Sequence, residues 1–262
     1  MAQLATELRE KPRQNLENAH GENARRRNTP SIINSAYQDS FGWAGETHSL
    51  EEQAASTFQV SGDMGMSVRA AIRRLNASQE YRKLFQGVFG RRPGEQDLVN
   101  AIASFERREA DVRSRFDRFF FDHDSLALTD GERRGWGLFT QLGCAGCHDV
   151  LTRRSLNAQV AAFSDNKPHN LGVGYSMGVM SDRGRYDVTG DPRGWGAFLT
   201  PSLRGVSKTA PYMHDGSLAS LADVVEFYAR GGNPNPQIDI AVRVRGWSDE
   251  QKADLVRFLG AL

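Results

Sequence analysis

Hydrophobic positions along the chain repeat with the period of an α-helix. Apolar residues recur at steps of three and four in four segments: MSVRAAIRRLN (66–76), EYRKLFQGVF (80–89), DLVNAIASFERR (97–108) and RSRFDRFFF (113–121). No alternation of apolar and polar residues is long enough to indicate a strand. The sequence therefore predicts an all-α fold.

Polar residues and glycines mark where several helices should begin and end. Three pairs have the spacing of a capping box, in which each side chain bonds the backbone N–H of the other residue: Thr129 with Glu132, Ser220 with Asp223, and Ser248 with Gln251. The helix LADVVEFYAR (221–230) should end at Gly231 and Gly232, because glycine commonly follows the last helical turn.

Residues 149–212 differ from the rest of the chain. This segment is rich in Gly, Ser, Asp and Pro and shows little periodicity. Loops of this length are uncommon in a compact domain unless they serve a site. The sequence therefore predicts long loops packed around a bound cofactor.

Composition limits the classes of function. The chain has 262 residues, 33 of them basic and 32 acidic, so its net charge is +1 and no global field draws it to nucleic acid or an anionic membrane. It holds no apolar run of about eighteen residues, so we expect no membrane span. The length favours two domains, which we place at residues 1–120 and 121–262.

Both cysteines of the chain lie in one short motif, CAGCH (144–148). Cys144 and Cys147 have the spacing of the two thiols that bind a haem covalently, and His148 follows directly as a ligand of the iron. The motif predicts one c-type haem with His148 as its proximal ligand.

Two other kinds of site use a cysteine pair at this spacing. A structural zinc site needs further Cys or His pairs at set spacings. A thioredoxin-like redox pair belongs in a βαβ pattern. Neither context is found in the sequence, which favours covalent haem.

Longer stretches carry a resemblance to a known family. With the haem motif in place, TPSLRGVSKTAPYMHDGSLASLADVVEFYARGG (200–232) resembles the C-terminal haem domain of bacterial di-haem cytochrome c peroxidases and MauG-like enzymes. Three upstream segments resemble the N-terminal domain of the same family: RRNTPSIINSAY (26–37), WAGETHSLEEQA (43–54) and DMGM (63–66). The resemblance implies two cytochrome c-like domains with long loops around haem, the first peroxidatic and the second carrying CAGCH.

The resemblance also implies a function. Family members are haem-dependent oxidoreductases that reduce hydrogen peroxide with electrons from a donor protein, such as a small cytochrome c or a cupredoxin, or that act on a protein substrate. The alternative is a mono-haem c-type electron-transfer protein without peroxidase activity. The sequence leaves open whether the protein forms a homodimer.

The number of haem motifs departs from the family pattern. Relatives attach two haems, whereas this chain has one motif, and its polar start lacks the apolar segment of a secretory signal. Because c-type haem is attached outside the bacterial cytoplasm, we expect a periplasmic protein whose signal and first haem motif lie upstream of Met1. A second haem c is then expected in the full-length protein.

The iron ligand opposite His148 has two kinds of candidate. Met177, Met180 and Met213 offer the soft sulfur that a simple cytochrome uses. The resemblance instead puts Tyr228 at the position of the distal ligand in MauG-like enzymes. A phenolate is a harder donor and would favour ferric and higher oxidation states.

The resemblance assigns three residues to peroxide chemistry. Trp43 matches the tryptophan between the two haems, where an indole can relay electrons; by residue type alone it is a large core side chain. Gln53 and Asp63 match a glutamine and a glutamate that line the peroxide pocket, where a carboxylate moves a proton between the two peroxide oxygens. Asp63 is one methylene shorter than glutamate, which shortens its reach.

The remaining assignments concern a histidine ligand, the haem edge and a cation. His20 matches the histidine that caps the peroxide haem in resting peroxidases, and by residue type alone it is an exposed histidine. His214, in the HDG turn, is expected near the haem edge or propionates. Asn28 and the carbonyl groups of Thr209 and Pro211 match a calcium site, for which oxygen donors are suited.

Overall fold

The computed structural model describes residues 27–59, 64–110, 113–151 and 160–262, and these ranges are mostly helical, as predicted. None of the helices in them combines the length and the apolar character that crossing a bilayer requires. The helices are α1 (Leu50–Thr57), α2 (Val68–Ala77), α3 (Gln79–Phe89), α4 (Glu95–Glu106), α5 (Arg115–Phe120), α6 (Asp130–Gln141), α7 (Tyr186–Thr189), α8 (Leu221–Ala229) and α9 (Asp249–Leu259).

Sheet structure in the described residues is confined to two short antiparallel pairs. The strands are β1 (Pro168–His169), β2 (Tyr175–Ser176), β3 (Val179–Met180) and β4 (Phe198–Leu199), with β1 paired to β4 and β2 to β3. Apart from these strands, the described part of 149–212 holds only helical turns of three or four residues. The predicted loop-rich character of this segment is confirmed.

The sequence signals for helix boundaries are also confirmed. In each of the three predicted capping boxes, the first side chain accepts a hydrogen bond from the backbone N–H of the second residue, and the reciprocal bond is present. Helix α8 ends at Ala229, and Gly231 and Gly232 follow with φ of 83° and 67°. These left-handed values explain why glycine occupies both positions.

Proximity in space divides the chain into two compact units. The first includes residues 54–102 and is called the helical unit below; the second comprises residues 27–53 and 103–262 and is called the cavity unit. The domains at 1–120 and 121–262 remain a prediction.

Helices α2, α3 and most of α4 form the described core of the helical unit. Ser67 and Ser78 cap the N-termini of α2 and α3 through their side-chain oxygens. Phe85 is buried on α3. Asp97 on α4 accepts two hydrogen bonds from Arg91, at 2.9 and 2.7 Å, which fixes the start of this helix to the loop before it.

An aromatic cluster forms the core of the cavity unit. Phe116 of α5, Phe258 of α9 and Phe163 of a loop are fully buried. The Phe116 ring centroid lies 5.6 Å from that of Phe258 and 5.0 Å from that of Phe163. Burying an aromatic side chain of this kind contributes about 2–3 kcal/mol. The cluster therefore joins helices and a loop that are far apart in sequence.

Helices α6 and α9 pack with their backbones in near contact at Gly135. A Cβ added there would stand 2.1 Å from the carbonyl oxygen of Asp254. The Asp254 carboxylate accepts hydrogen bonds from Arg134 at 2.7 and 3.0 Å, so a salt bridge flanks the same crossing. The position requires glycine because no side chain fits between the two helices.

A buried ion pair attaches the loop after β4 to α5. The Arg204 guanidinium donates to the Asp117 carboxylate at 2.5 and 3.1 Å, and both side chains are buried. Asp117 also completes a capping box with Ser114 at the start of α5. Removing one partner of such a pair would leave the other charge buried, which costs about 3–5 kcal/mol.

The helix crossing gives a first prediction. Gly135→Ala should lower the free energy of unfolding by about 2 kcal/mol, because the added methyl group overlaps the backbone of α9. Gly137→Ala is the matched control, because it lies on the same helix with nothing within 4 Å of its Cβ position. There, alanine should stabilise the protein by up to about 1 kcal/mol through helix propensity. Urea unfolding followed by circular dichroism measures the free energy of unfolding of both variants. Equal changes in this free energy at the two positions would contradict the close packing at Gly135.

Candidate functional site

The cavity unit contains a cavity of about 290 Å³. Its wall includes the thiols and imidazole of CAGCH, the candidate ligand Tyr228, and His214, together with Trp43 and the three expected calcium ligands. The residues concerned are Cys144, Cys147, His148, His214, Tyr228, Trp43, Asn28, Thr209 and Pro211. The structure therefore brings together residues that are up to 200 positions apart in sequence.

The CAGCH motif folds into a single turn on the cavity wall. Gly143 adopts a left-handed conformation, with φ of 83°, and starts a 3₁₀ turn over Cys144–Gly146. The backbone N–H of His148 donates to the carbonyl oxygen of Cys144 at 2.9 Å. This turn presents both thiols and the imidazole to the same cavity.

A hydrogen bond orients the His148 imidazole. Its Nδ1 lies 3.0 Å from the carbonyl oxygen of Phe163, and Nδ1–H donates to that acceptor. Nε2 is then the atom left for a metal. Burial lowers the pKa of His148, which keeps the ring neutral as metal binding requires. Phe163 has a φ of 52°, an unfavourable conformation that directs its carbonyl oxygen to the ring.

The structure narrows the choice of distal ligand. Met177 is 98% exposed, and Met180 is buried but is not part of the cavity wall. Met213 and Tyr228 both line the cavity. Burial raises the pKa of the Tyr228 phenol, and the nearby thiols of the CAGCH turn add to the effect. Within the described residues the phenol oxygen has no hydrogen-bond partner.

Trp43 and His214 lie side by side on the wall. The indole Nε1–H of Trp43 donates to the carbonyl oxygen of Asn28 at 2.6 Å, and its ring meets that of His214 edge-on at 6.3 Å. The other neighbour of His214 is Phe198, stacked at 3.6 Å between centroids. His214 is 4% exposed, and burial lowers its pKa. A neutral imidazole is thus held rigidly next to the indole.

The three expected calcium ligands all line the cavity, and two of them, Asn28 and Pro211, are in contact. The Asn28 side-chain amide donates to the carbonyl oxygen of Pro211 at 2.6 Å. The Asn28 backbone N–H donates to the carbonyl oxygen of His214, also at 2.6 Å. Thr209, on the same wall, uses its hydroxyl to donate to Val206.

The residues assigned to peroxide chemistry are not gathered in the described part of the chain. Gln53 ends the first segment of the cavity unit, and its side-chain oxygen accepts from the Thr47 hydroxyl at 2.9 Å, away from the cavity wall. His20 and Asp63 lie outside the described residues.

Sequence reasoning missed a charged cluster beside Cys147. Nδ1 of His169 lies 2.5 Å from the Asp239 carboxylate, and Nε2 lies 3.0 Å from that of Asp165. The hydrogen bond to Asp165, followed by those to Cys147 and Asp239, raises the pKa of His169 to about 11. The ring is therefore an imidazolium at neutral pH. No local spacing signals this cluster, because Asp239 is 70 residues away in sequence.

The same cluster bears on the zinc alternative. Donor atoms of Cys147, Asp165 and His169 lie within 4.8 Å of one another. However, both ring nitrogens of His169 already bond carboxylates, and Cys144 and His148 are not part of the group. The arrangement is that of an imidazolium held between two carboxylates.

The donor set of the cavity fits a c-type haem. Two thiols and one imidazole share a wall that a phenol also lines. Burial raises the pKa of Cys144 to about 11, so the site favours a neutral sulfur, as in a thioether. Trp247 has a buried Nε1–H without an acceptor among the described residues, and a group bound against this wall would supply one.

Comparison with known proteins agrees with this geometry. The family described as "Di-haem cytochrome c peroxidase" matches residues 5–125. The methylamine utilization protein MauG of Methylorubrum extorquens is 33% identical over 90% of this chain and 64% of its own length. The cytochrome-c peroxidase IdrP1 of Pseudomonas sp. strain SCT is 35% identical over 90% of this chain and 68% of its own length. The chain thus spans about two thirds of these relatives.

Solved structures give the same result. A MauG-like protein associated with microbial copper homeostasis superposes with a TM-score of 0.74 at 28% identity, over 91% of this chain and 75% of that one. The diheme peroxidase BthA of Burkholderia thailandensis shares the fold, with a TM-score of 0.74 at 21% identity over 92% and 73% of the two chains. Because these relatives match over most of the sequence and the CAGCH turn lines the cavity, the chain belongs to the di-haem cytochrome c peroxidase and MauG-like family.

Proposed function

We propose that the protein is a haem-dependent oxidoreductase that reduces hydrogen peroxide with electrons from a donor protein. The observation that carries the proposal is the cavity in which the CAGCH turn, Tyr228 and Trp43 share one wall. Haem c bound there supplies an iron that gains and loses single electrons. The chemistry of the site then depends on what these side chains do around that group.

In this proposal His148 and Tyr228 would hold the haem iron. The bond from His148 Nδ1–H to Phe163 leaves Nε2 for the iron. Burial raises the pKa of Tyr228, so the phenol stays protonated unless a cation takes the place of its proton, as a bound ferric iron would. An anionic phenol oxygen would favour the higher oxidation states of the metal.

Trp43 and His214 are proposed to connect this site to a peroxide site. The Trp43 N–H is bonded to a carbonyl oxygen, which is a weak base, so the indole can pass an electron without losing its proton. His214 fixes the tilt of the indole through their edge-on contact. The pair therefore positions an oxidisable ring at the cavity wall.

The peroxide site itself belongs to the proposed N-terminal cytochrome c-like domain, residues 1–120. Gln53 and Asp63 would bind peroxide and move its proton there, and His20 would cap a second haem c, so that the full-length protein holds two haems in two cytochrome c-like domains. Two comparisons support this assignment: the matching family is described as a di-haem cytochrome c peroxidase, and the relative IdrP1 is named a cytochrome-c peroxidase.

Three further proposals follow from the family. Asn28 and the carbonyl groups of Thr209 and Pro211 would bind calcium, which their position on one wall supports. The electron donor would be a small cytochrome c or a cupredoxin, with a protein substrate as the other option. The protein would work in the periplasm, where covalent haem attachment takes place.

Substitution of Tyr228 tests its ligand role. Tyr228→Phe should remove the oxygen signature from the electron paramagnetic resonance spectrum of the ferric protein. It should also raise the haem midpoint potential by about 0.1 V or more, since axial ligands set haem potentials over a range of about 0.8 V. Tyr212→Phe is the matched control, because Tyr212 lines the same cavity with its hydroxyl donating to Val206. Unchanged spectra and potential in Tyr228→Phe would exclude the phenol and leave Met213 as the candidate.

Haem content and peroxide turnover test the function as a whole. Protein expressed from its natural gene together with a haem-attachment system should show two haems per chain by pyridine haemochrome and should consume hydrogen peroxide when a reductant is supplied. One haem per chain and no peroxide consumption would instead identify the mono-haem electron carrier.

A further inference from the structure

An exposed apolar and basic surface lies on the outer side of the cavity wall. Ile240 is 81% exposed and Val244 is 77% exposed, in a chain segment that follows α8. Arg230 and Arg243 are exposed and lie close to them in sequence or across a backbone bridge. These four residues are called the aliphatic–arginine surface below.

Backbone contacts make this surface continuous. Arg230 and Val244 form an antiparallel bridge, and the Arg245 N–H donates to the carbonyl oxygen of Ala229 at 2.8 Å. The Arg243 Nε–H donates to the carbonyl oxygen of Ile240 at 2.9 Å, which folds its side chain back beside that residue. Each aliphatic side chain therefore has an arginine beside it: Val244 has Arg230 and Ile240 has Arg243.

The positive charge of the surface is not neutralised within the described residues. Neither of its two arginines forms a salt bridge there, whereas arginines elsewhere in the cavity unit, such as Arg134 and Arg204, bond carboxylates. Asp239 is the one acidic residue in the sequence between 230 and 247, and its carboxylate bonds His169. Since the chain as a whole has a net charge of +1, the charge of this patch is local.

The segment that carries the surface is also part of the cavity wall. Ala241, Val242, Arg243 and Arg245 line the cavity that holds the CAGCH turn. The Arg245 guanidinium lies 3.8 Å from the Cβ position of Gly143, the residue before Cys144. A protein docked on this surface would thus be separated from the thioether edge of the haem by a single chain segment.

We propose that the aliphatic–arginine surface is the docking site for a small redox protein with an acidic rim around an apolar centre. The proposal rests on the proposed function, because it names the class of electron donor for that site. Apolar contacts at the centre and opposite charges at the rim are the usual anatomy of such an interface. One electron leaves the reduced metal of the partner and reduces the haem iron of this chain; no bond is made or broken.

Binding measurements without turnover test the docking site. Oxidised plastocyanin serves as the acidic probe and oxidised mitochondrial cytochrome c as the basic probe, each titrated against the oxidised holoprotein. The acidic probe should bind, and more weakly as salt is added, while the basic probe should not. Tighter binding of the basic probe would overturn the proposal.

Variants locate the binding on the surface. Val244→Asp and Ile240→Asp should each weaken the affinity for plastocyanin by about fivefold or more, the effect expected at a contact worth about 1 kcal/mol. Arg243→Gln should weaken it and reduce the salt dependence. The matched controls are Leu126→Asp, at a side chain 89% exposed in the same unit, and Arg193→Gln, at a side chain 91% exposed. Haem content and circular dichroism establish that each variant is folded.

Two results would contradict the docking site. Unchanged affinity in both Val244→Asp and Ile240→Asp would place the contact elsewhere. If the free protein forms a dimer and Val244→Asp abolishes that dimer, the surface binds a second copy of this chain instead.

Peroxide consumption with ascorbate as the reductant separates this proposal from the proposed function, because a small molecule does not need the surface. Val244→Asp should retain this activity in full. If the unsubstituted protein consumes no hydrogen peroxide with ascorbate, the proposed function is refuted, whereas the result of the binding measurement still stands.

Discussion

The hydrogen bond between His148 and the carbonyl oxygen of Phe163 is the interaction on which the site depends. It fixes which ring nitrogen faces the cavity and in which direction it points. Phe163 is also fully buried in the aromatic cluster, between rings of α5 and α9. The orientation of the His148 imidazole is therefore set by the packing of the hydrophobic core.

The same core holds the rest of the cavity in place. Helix α6 leads directly into the haem-attachment turn, and α9 crosses it at Gly135 in near backbone contact. Leu255 and Leu259 of α9 contribute to the cavity wall, while Phe258 of the same helix belongs to the aromatic cluster. Functional groups supported by packed helices in this way keep their geometry better than groups held by loops alone.

How much the sequence predicts depends on how local the signal is. Helix positions and capping boxes are set by residues within a few positions of each other, and the structure confirms them. The pairing of His169 with Asp239 and of Arg204 with Asp117 joins residues 70 and 87 positions apart, and no spacing rule anticipates it. Long-range ion pairs follow from tertiary packing and so appear only in three dimensions.

The distal ligand shows the limit of sequence reasoning in another way. Three methionines and one tyrosine are candidates for the iron ligand opposite His148, and residue type alone does not decide between them. Their positions in the structure exclude two of the methionines: Met177 is 98% exposed, and Met180 lies outside the cavity wall. The choice between Tyr228 and Met213 then depends on bond chemistry rather than on position.

The position of α9 has a consequence for how the holoprotein is made. The wall of the cavity is complete only when this helix, far downstream of the CAGCH turn, has docked against α6. In the closed fold, burial keeps the Cys144 thiol protonated, and a thiol in that state is a poor nucleophile. We therefore expect porphyrin attachment, as proposed for the two cysteines, to precede the docking of α9 when the protein folds.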